Sequence, residues 1–588
     1  MEKWFIKNTQ GDYKKIAEKY GISDILVKLI VNRSIHSEEA LSKYLAPSLS
    51  HLHSPWSLKD MELAVTLLKG KIERKEPIRI VGDYDVDGVM ATYILYTGLN
   101  LIGAVVDYDI PERIKDGYGI NSSIIEAAKA DGIDTILTCD NGIAAIEQIN
   151  FAKELGMTVI VTDHHDIGFI EEEGIRKYQV PKADAVINPK QEDCAYPYEG
   201  ICGAVVAYKL VEALFEKFLI EREKLLPLLE FAAIATVCDV MDLMDENRAI
   251  VKYGLESIPS TTNVGLSCLI EETGIGGKPL GVYHLGFIIG PCINASGRLE
   301  SAKLSLKLFL TKEKKMASEL ARQLKELNDD RKEMTQEGLE EAIELIEHGS
   351  YAEDRVLVVY LPDCHESLAG IIAGRVKERY YKPTIVLTKA HDGVKGSARS
   401  IESYNMFEEL TKCKDMLTKF GGHPMAAGLS FPEEKVEELR KRLNEYCSLT
   451  EEDLQEKVSI DLVLPLQQIN YSLINEISYL EPYGKGNTRP LFVEKNIQVI
   501  KASIIGKNRN VLRMTVASSE QPSIRFTAML FQKLDVFEEI VVNKYGKDAL
   551  EALYTGNSTD VYMDMTFYPD INEYNGIQTI QLIIQNFR

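Results

Sequence analysis

Between about residues 60 and 250 the apolar residues fall in short unbroken runs, not in alternation. PIRIVGD, GAVVDYDIP, DTILTCDNG, MTVIVTDHH and ADAVINP are each followed by a helix-length stretch. Strands that are apolar on both faces and separated by helices predict a parallel α/β sheet with both faces covered. From 311 to 347 the pattern changes to apolar positions three or four apart, at Met316, Leu320, Leu324 and Leu327 and then Leu339, Ile343 and Ile346. That spacing predicts a long charged helix, whole or broken, linking two domains. A second α/β segment starts at DRVLVVYLPD and runs to about 450. Beyond 455 the runs VSIDLVL, LFVEKNIQVIKASIIG, NVLRMTVAS, IRFTAMLF, DVYMDMTFYPD and IQTIQLIIQNF alternate and are punctuated by turns, as in a small all-β barrel. The expected organisation is a helical extension over 1–60, an α/β domain over 61–310, a connector over 311–350, a smaller α/β domain over 351–452 and a barrel over 453–588.

The polar residues that interrupt the first five runs are not evenly spread. Asp83, Asp85 and Asp87 follow the first run, Asp140 the third, and Asp163, His164, His165 and Asp166 the fourth, and Asp239 in ATVCDVMD, with the nearby Asp242 and Asp245, is expected at a strand end as well. The carboxyl ends of strands are where open α/β sheets bind ligands. A lone D-x-D is ordinarily a solvated turn and a lone His pair a surface feature, but their recurrence at successive strand ends calls for a shared cation. Carboxylates with imidazole and no thiolate suit Mn²⁺ or Mg²⁺. Two ions fit such a set, as in enzymes that displace a leaving group at phosphorus. In an extended segment Asp85 and Asp87 would point the same way, about 6.6 Å apart, each reaching its own ion. Gly82, Gly88 and Gly142 mark tight turns or close backbone approaches at the same places.

Composition narrows the picture. The 588 residues exceed one hydrophobic core and fit about three domains. Nine cysteines without a C-x-x-C pair argue against a disulfide framework or a thiolate zinc site. The first residues lack the apolar core of a signal peptide, and no run is long enough to span a bilayer, so a cytoplasmic protein is expected. The net charge of −22 would disfavour a polyanionic partner, yet basic charge is concentrated locally. Residues 371–400 hold Arg375, Lys377, Arg379, Lys382, Lys389, Lys395 and Arg399 against two acids, and 501–513 hold Lys501, Lys507, Arg509 and Arg513 against none.

The motifs Asp85-Val-Asp87-Gly, Asp140-Asn-Gly, Asp163-His164-His165 and Cys-Asp239-Val together resemble the DHH phosphoesterase superfamily, and within it the branch of single-strand-specific DNA exonucleases. The resemblance continues through GPCINASGRL (290–299), CHESLAGIIAGRV (364–376), KGSARS (395–400), FGGHPMAAGLS (420–430) and LEPYGKGNTRPLF (480–492). It implies a metal-dependent phosphodiesterase domain, a DHHA1 substrate-binding domain and an oligonucleotide-binding (OB) barrel. The implied metal ligands are Asp85, Asp87, Asp140, His164 and Asp239, with His165 as ligand or supporting group, Asp83 as a further candidate, and Asp85, Asp87, His164 and His165 as the catalytic set. Val81 stands where many members have histidine, and Ser367 where many have glycine. Arg298, His365, Arg375, Ser397, Arg399, Gly421, Gly422 and His423 are the implied DNA contacts of the second and third segments. Lys501, Lys507, Arg509 and Arg513 are those of the barrel, with Tyr483 as a weaker one. The implied activity is 5′ to 3′ removal of mononucleotides from single-stranded DNA threaded through a narrow cleft, in recombination and repair. A monomer working with single-strand-binding protein and a helicase completes the expectation. A phosphodiesterase of short oligoribonucleotides or dinucleotides is the alternative, and a catalytically inactive adaptor a third reading.

Overall fold

The computed structural model describes every residue except 1, 10–12, 173–174, 507 and 558–559. The chain forms two compact units, one of residues 47–455 and one that joins residues 1–46 to 456–588.

In the first unit all five expected runs are strands of one parallel sheet, ordered Val105–Asp109, Pro77–Val81, Thr135–Cys139, Thr158–Thr162, Ala185–Ile187. The three central strands are buried almost throughout because helices cover both faces. The helix Val86–Leu101 is apolar nearly all round and is buried against Gly203–Lys217 and Leu228–Cys238, as an all-round apolar helix must be. At its first turn the chain is packed to contact. A Cβ on Gly88 would lie 2.5 Å from the Asp83 carbonyl oxygen, so only glycine lets the helix close against the loop that leaves the first strand.

The strand Leu357–Tyr360 opens the second α/β segment, a five-stranded mixed sheet in which Thr384–Ala390, Gly393–Arg399, Ala426–Phe431 and Lys419–His423 follow outward in that order. The connector is one unbroken helix, Lys314–His348, about 50 Å long at 1.5 Å per residue. Ala317, Leu320, Ala321 and Leu324 at its start belong to the core of the first α/β domain, whereas Ala342 and Ile346 near its end belong to the core beside the second sheet. One rigid element therefore sets the spacing of the two α/β domains.

The second unit holds a six-stranded sheet, five strands of which close into a barrel through Phe492–Ile505, which pairs with Val511–Ala517 along one edge and Val561–Tyr574 along the other, while the short strand Leu462–Val463 adds to its start. Two helices, Leu534–Tyr545 and Lys547–Thr555, interrupt the strand series, and the alternation pattern does not announce them. The N-terminal segment adds to this unit a strand, Lys3–Ile6, paired in parallel with Lys457–Ile460. The buried Asp461 ties them: its carboxylate meets Lys7 Nζ at 3.0 Å and accepts from the Leu491 amide at 3.0 Å, and its carbonyl accepts from Asn32 Nδ2. Among the described residues no helix is long and apolar enough to cross a membrane.

Two glycines on buried and open sides of the fold make the packing measurable. Gly88→Ala should lower stability by roughly 1–3 kcal/mol through overpacking, while Gly374→Ala, whose added methyl meets nothing within 4 Å in the helix Ala369–Tyr380, should raise it by about 0.5–1 kcal/mol. Thermal unfolding of the full chain reads both. Asp461→Ala should cost the barrel unit roughly 2 kcal/mol by removing the half-buried Lys7 ion pair and leaving the Leu491 amide without its acceptor, read as an earlier urea transition of that unit alone.

Candidate active site

The acidic and histidine residues converge at the carboxyl ends of the parallel strands, though not by the local geometry expected: Asp239 follows no strand but ends the helix Leu228–Cys238, whose unbroken apolar run is buried as a helix. Asp85 and Asp87 do not alternate along an extended segment: the strand ends at Val81, Asp85 caps the next helix by accepting from the Gly88 amide at 3.1 Å, and Asp87 lies in the first helical turn. The correction has a simple cause, since a carboxylate placed at a helix start satisfies an orphan amide that an extended chain would not present. The two aspartates still diverge. Asp87 gathers with His164 and Asp239, whereas Asp85 gathers with Asp83 and Asp140, each trio offering ligand atoms within 4.8 Å of one another; Asp140, His164 and His165 form a third, overlapping trio.

Three features of the fold hold these groups in place. The Asp87 carboxylate accepts from the amides of Gly203 (2.6 Å) and Ala204 (2.8 Å) at the start of a second helix, so two helix N-termini face one anion. Gly203 is needed there, because a Cβ would stand 2.7 Å from Asp140 Cβ. Asp163, buried below the loop, accepts from the amides of Ile143, His164 and His165 and from His165 Nδ1 at 2.7 Å. It therefore shapes the loop and aims His165. Tyr118, on the loop after the edge strand, donates to the Asp140 carbonyl at 2.8 Å and packs edge-on against both His165 and Tyr84.

His164 Nε2 stands 3.2 Å from Asp140, 3.5 Å from Asp87 and 3.6 Å from Asp239. Neither of its ring nitrogens has a hydrogen-bond partner, and neither do the buried Oδ1 atoms of Asp83 and Asp140. Burial and the neighbouring carboxylates hold Asp83, Asp85 and Asp140 above the usual carboxylate range, Asp83 and Asp140 by the most. Burial lowers His164. Burial pulls His165 down, but its bond to Asp163 and the charges of Asp163, Asp87 and Asp239 together outweigh this and raise it to about 9. The same bond, with backbone amides, keeps Asp163 below the usual range despite burial. Buried acceptors left without donors are costly, and divalent cations would satisfy them together. The donor set fits Mn²⁺ or Mg²⁺. Three thiols sit beside it in the chain, but burial pushes Cys139 up to about 12 and raises Cys202 and Cys238 as well, so no thiolate competes.

Next to the acidic cluster is a cavity of about 580 Å³ with the opposite charge. Its lining includes Tyr84, which lies between Asp83 and Asp85 in the chain, and then Arg113, Arg298, Ser397, Arg399, Lys419 and Gly421. The acid in its wall, Glu366, is paired with Lys395 at 2.9 Å. The three guanidiniums meet no carboxylate among the described residues. Arg298 donates to the Ser367 carbonyl at 2.6 Å, Arg399 to the Ala398 carbonyl at 2.8 Å, and Arg113 lies 3.9 Å over the Tyr84 ring with a buried, unpartnered Nε. Burial and the other arginines pull Arg298 down to about 10, and burial lowers Arg399. Unpaired, half-buried cations of one sign make an anion site.

Of the expected DNA contacts, Arg298, Ser397, Arg399 and Gly421 line this cavity, and His365, Arg375, Gly422 and His423 do not. His365 instead bonds the Ser367 hydroxyl at 2.7 Å, which fixes the turn where serine replaces the family's glycine. Arg375 is half-buried on its helix, and His423 is exposed on its strand. Lys395, marked in the sequence by its basic stretch, also lines the cavity, whereas Arg113, Tyr84, Tyr118 and Lys419 left no mark there because each is a single residue in a loop or strand with no spacing to distinguish it. In the barrel unit Arg513 helps line a groove of about 310 Å³ with Tyr574, Met529 and Gln581, Lys501 is exposed on a strand, and Arg509 occupies a turn with φ +53°. Lys507 lies outside the described residues. Tyr483 is engaged internally: its hydroxyl donates to the Ile477 carbonyl, and Arg489 lies 5.0 Å over its ring.

Comparison with known proteins matches this arrangement domain by domain. The DHH family N-terminal domain matches residues 77–236, the DHHA1 domain 353–449 and the RecJ OB domain 460–586. The single-stranded-DNA-specific exonuclease RecJ of Bacillus subtilis (strain 168) is 34% identical over 99% of this chain and 70% of its own length, and that of Escherichia coli (strain K12) is 31% identical over 96% and 95%. The crystal structure of RecJ in complex with Mn²⁺ from Thermus thermophilus covers 100% of this chain and 79% of that one, with a TM-score of 0.81 at 26% identity. The Mg²⁺ complex of RecJ from the same organism gives a TM-score of 0.74 at 25% identity. With the three domains in order and near full-length likeness to named relatives, the chain belongs to the RecJ family of DHH phosphoesterases.

Proposed function

We propose that this protein is a metal-dependent exonuclease that hydrolyses the phosphodiester bonds of single-stranded DNA from the 5′ end, releasing mononucleotides. The observation that carries the reading is the direct adjacency of a buried carboxylate–imidazole cluster and an unpaired arginine cavity, joined through Tyr84. RecJ relatives are named single-stranded-DNA-specific exonucleases, and solved RecJ structures hold Mn²⁺ or Mg²⁺. The matched RecJ OB domain favours a long strand over a dinucleotide.

Asp87, His164 and Asp239 would hold one ion and Asp83, Asp85 and Asp140 a second, with Asp140 near both. Bound there, divalent ions supply Lewis-acid polarisation of the phosphodiester and lower the pKa of an attacking water. The protein's own groups do the positioning. Arg298, Arg399 and Arg113 grip a terminal 5′-phosphate, with Ser397, Lys419 and Gly421 closing around it. That grip sets the first internal phosphodiester against the acidic cluster. Asp163 fixes the ring of His165 beside Asp140, as ligand or as donor to the phosphate. Arg513, Lys501 and Arg509 give the barrel a cationic surface for the rest of the strand. The place of work is the cytoplasm, in recombination and repair, where single strands arise.

Asp87→Ala and His164→Ala should lower cleavage of single-stranded DNA by roughly a thousandfold or more while leaving the circular dichroism spectrum unchanged and strand affinity in chelator within about threefold. Mn²⁺-dependent activity retained in either variant would refute the assignment. Arg298→Ala should raise KM for a 5′-phosphorylated strand about tenfold, reduce the slope of log affinity against log salt by about one, and affect a 5′-hydroxyl strand much less. Fluorescence anisotropy across a salt series, paired with initial rates, measures all three.

A further inference from the structure

The helix that carries Arg298 begins with a feature the arginine cavity does not explain. Val282–His284 runs into a π-helical turn, Leu285–Ile289, and then into Gly290–Leu299. On that opening stretch Tyr283 and Phe287 are 64% and 69% exposed, and their rings stack on each other with centroids 5.2 Å apart and 19° between planes. Two large rings left in water beside each other forgo the burial that normally justifies them, and π turns are frequent at functional sites. The same turn is fastened to the helix Leu228–Cys238 that leads into Asp239. Cys238, next to Asp239, donates to the Leu285 carbonyl, a Cβ on Gly286 would meet Val237 at 3.4 Å, and one on Gly290 would stand 2.4 Å from Cys238 Sγ. Val240, directly after Asp239, is itself 58% exposed with φ +55°. An exposed aromatic face is thus continuous with the segment that presents Asp239.

We propose that Tyr283 and Phe287 are positioning residues that stack a nucleobase of the single strand beside the acidic cluster. This role rests on the exonuclease reading and adds a stacking contact with the bases to the phosphate contacts of the arginine cavity. Bases suit the site because a flat ring pair accepts any base through its π-face, as a sequence-independent enzyme requires.

The test uses the full chain with Phe287→Ala, Tyr283→Ala and the rescuing Phe287→Trp, and 5′-phosphorylated single strands in which one abasic nucleotide is moved stepwise from the 5′ end. Phe287→Ala should raise KM about tenfold with kcat changed less than about twofold, and Phe287→Trp should restore it. For the wild type one abasic position should produce the same rise, and in Phe287→Ala that abasic strand should lose nothing further. Losses that multiply, or a KM unmoved by the substitution, would overturn the platform and leave the aromatic pair to a protein partner. Quenching of 2-aminopurine at that position, measured in chelator, separates the two claims. Quenching that depends on Phe287 in a protein that does not cut would sustain the platform and sink the exonuclease reading, and absence of quenching would sink the platform.

Discussion

Everything near the strand ends is arranged around one electrostatic problem: carboxylates from three separate segments of the chain are brought within a few ångströms of His164, mostly out of water. Such a cluster is unfavourable in the bare protein, because desolvation and mutual repulsion both act against ionisation. The fold tolerates it by supplying amide dipoles, two from the helix that begins at Gly203 and three that converge on Asp163. What the amides leave unsatisfied is what divalent cations can fill. The cost of assembling the site and its affinity for metal are therefore two sides of one arrangement.

The same logic, with the sign reversed, governs the neighbouring cavity. Three guanidiniums without carboxylate partners among the described residues repel one another and lose hydration, so the cavity gains most when a phosphate enters. The boundary between the two fields runs through Tyr84, flanked in sequence by Asp83 and Asp85 and covered by Arg113. A phosphodiester chain held there meets cations at its terminal phosphate and the acidic, metal-seeking cluster at the next. The net charge of −22 is no obstacle to a polyanion, because its attraction is local and sheltered from most of the surface charge.

The sequence made much of this legible, for identifiable reasons. Five apolar runs with polar residues at their ends announced a parallel sheet and the side of it that does chemistry, and Asp87, Asp140, His164 and Asp239 meet there. The connector was visible because its apolar positions keep a helical period for most of its length. Other features were hidden because pattern carries no trace of them. Asp85 and Asp87 read as an extended pair, since spacing alone does not tell a strand from the first turn of a helix. Arg113 and Tyr118 work through a loop whose path depends on tertiary packing. The N-terminal strand gave no sign that it pairs with a segment some 450 residues away, because that pairing is decided by backbone groups and by one buried carboxylate, Asp461.

The most direct test of the account compares a 3′-labelled single strand, the matching duplex and a labelled dinucleotide, each incubated with Mn²⁺, with Mg²⁺ and with chelator. A ladder that shortens one nucleotide at a time from the 5′ end of the single strand, with the duplex spared and chelator abolishing the reaction, is the predicted result. Cleavage confined to the dinucleotide, or cleavage that persists in chelator, would contradict it.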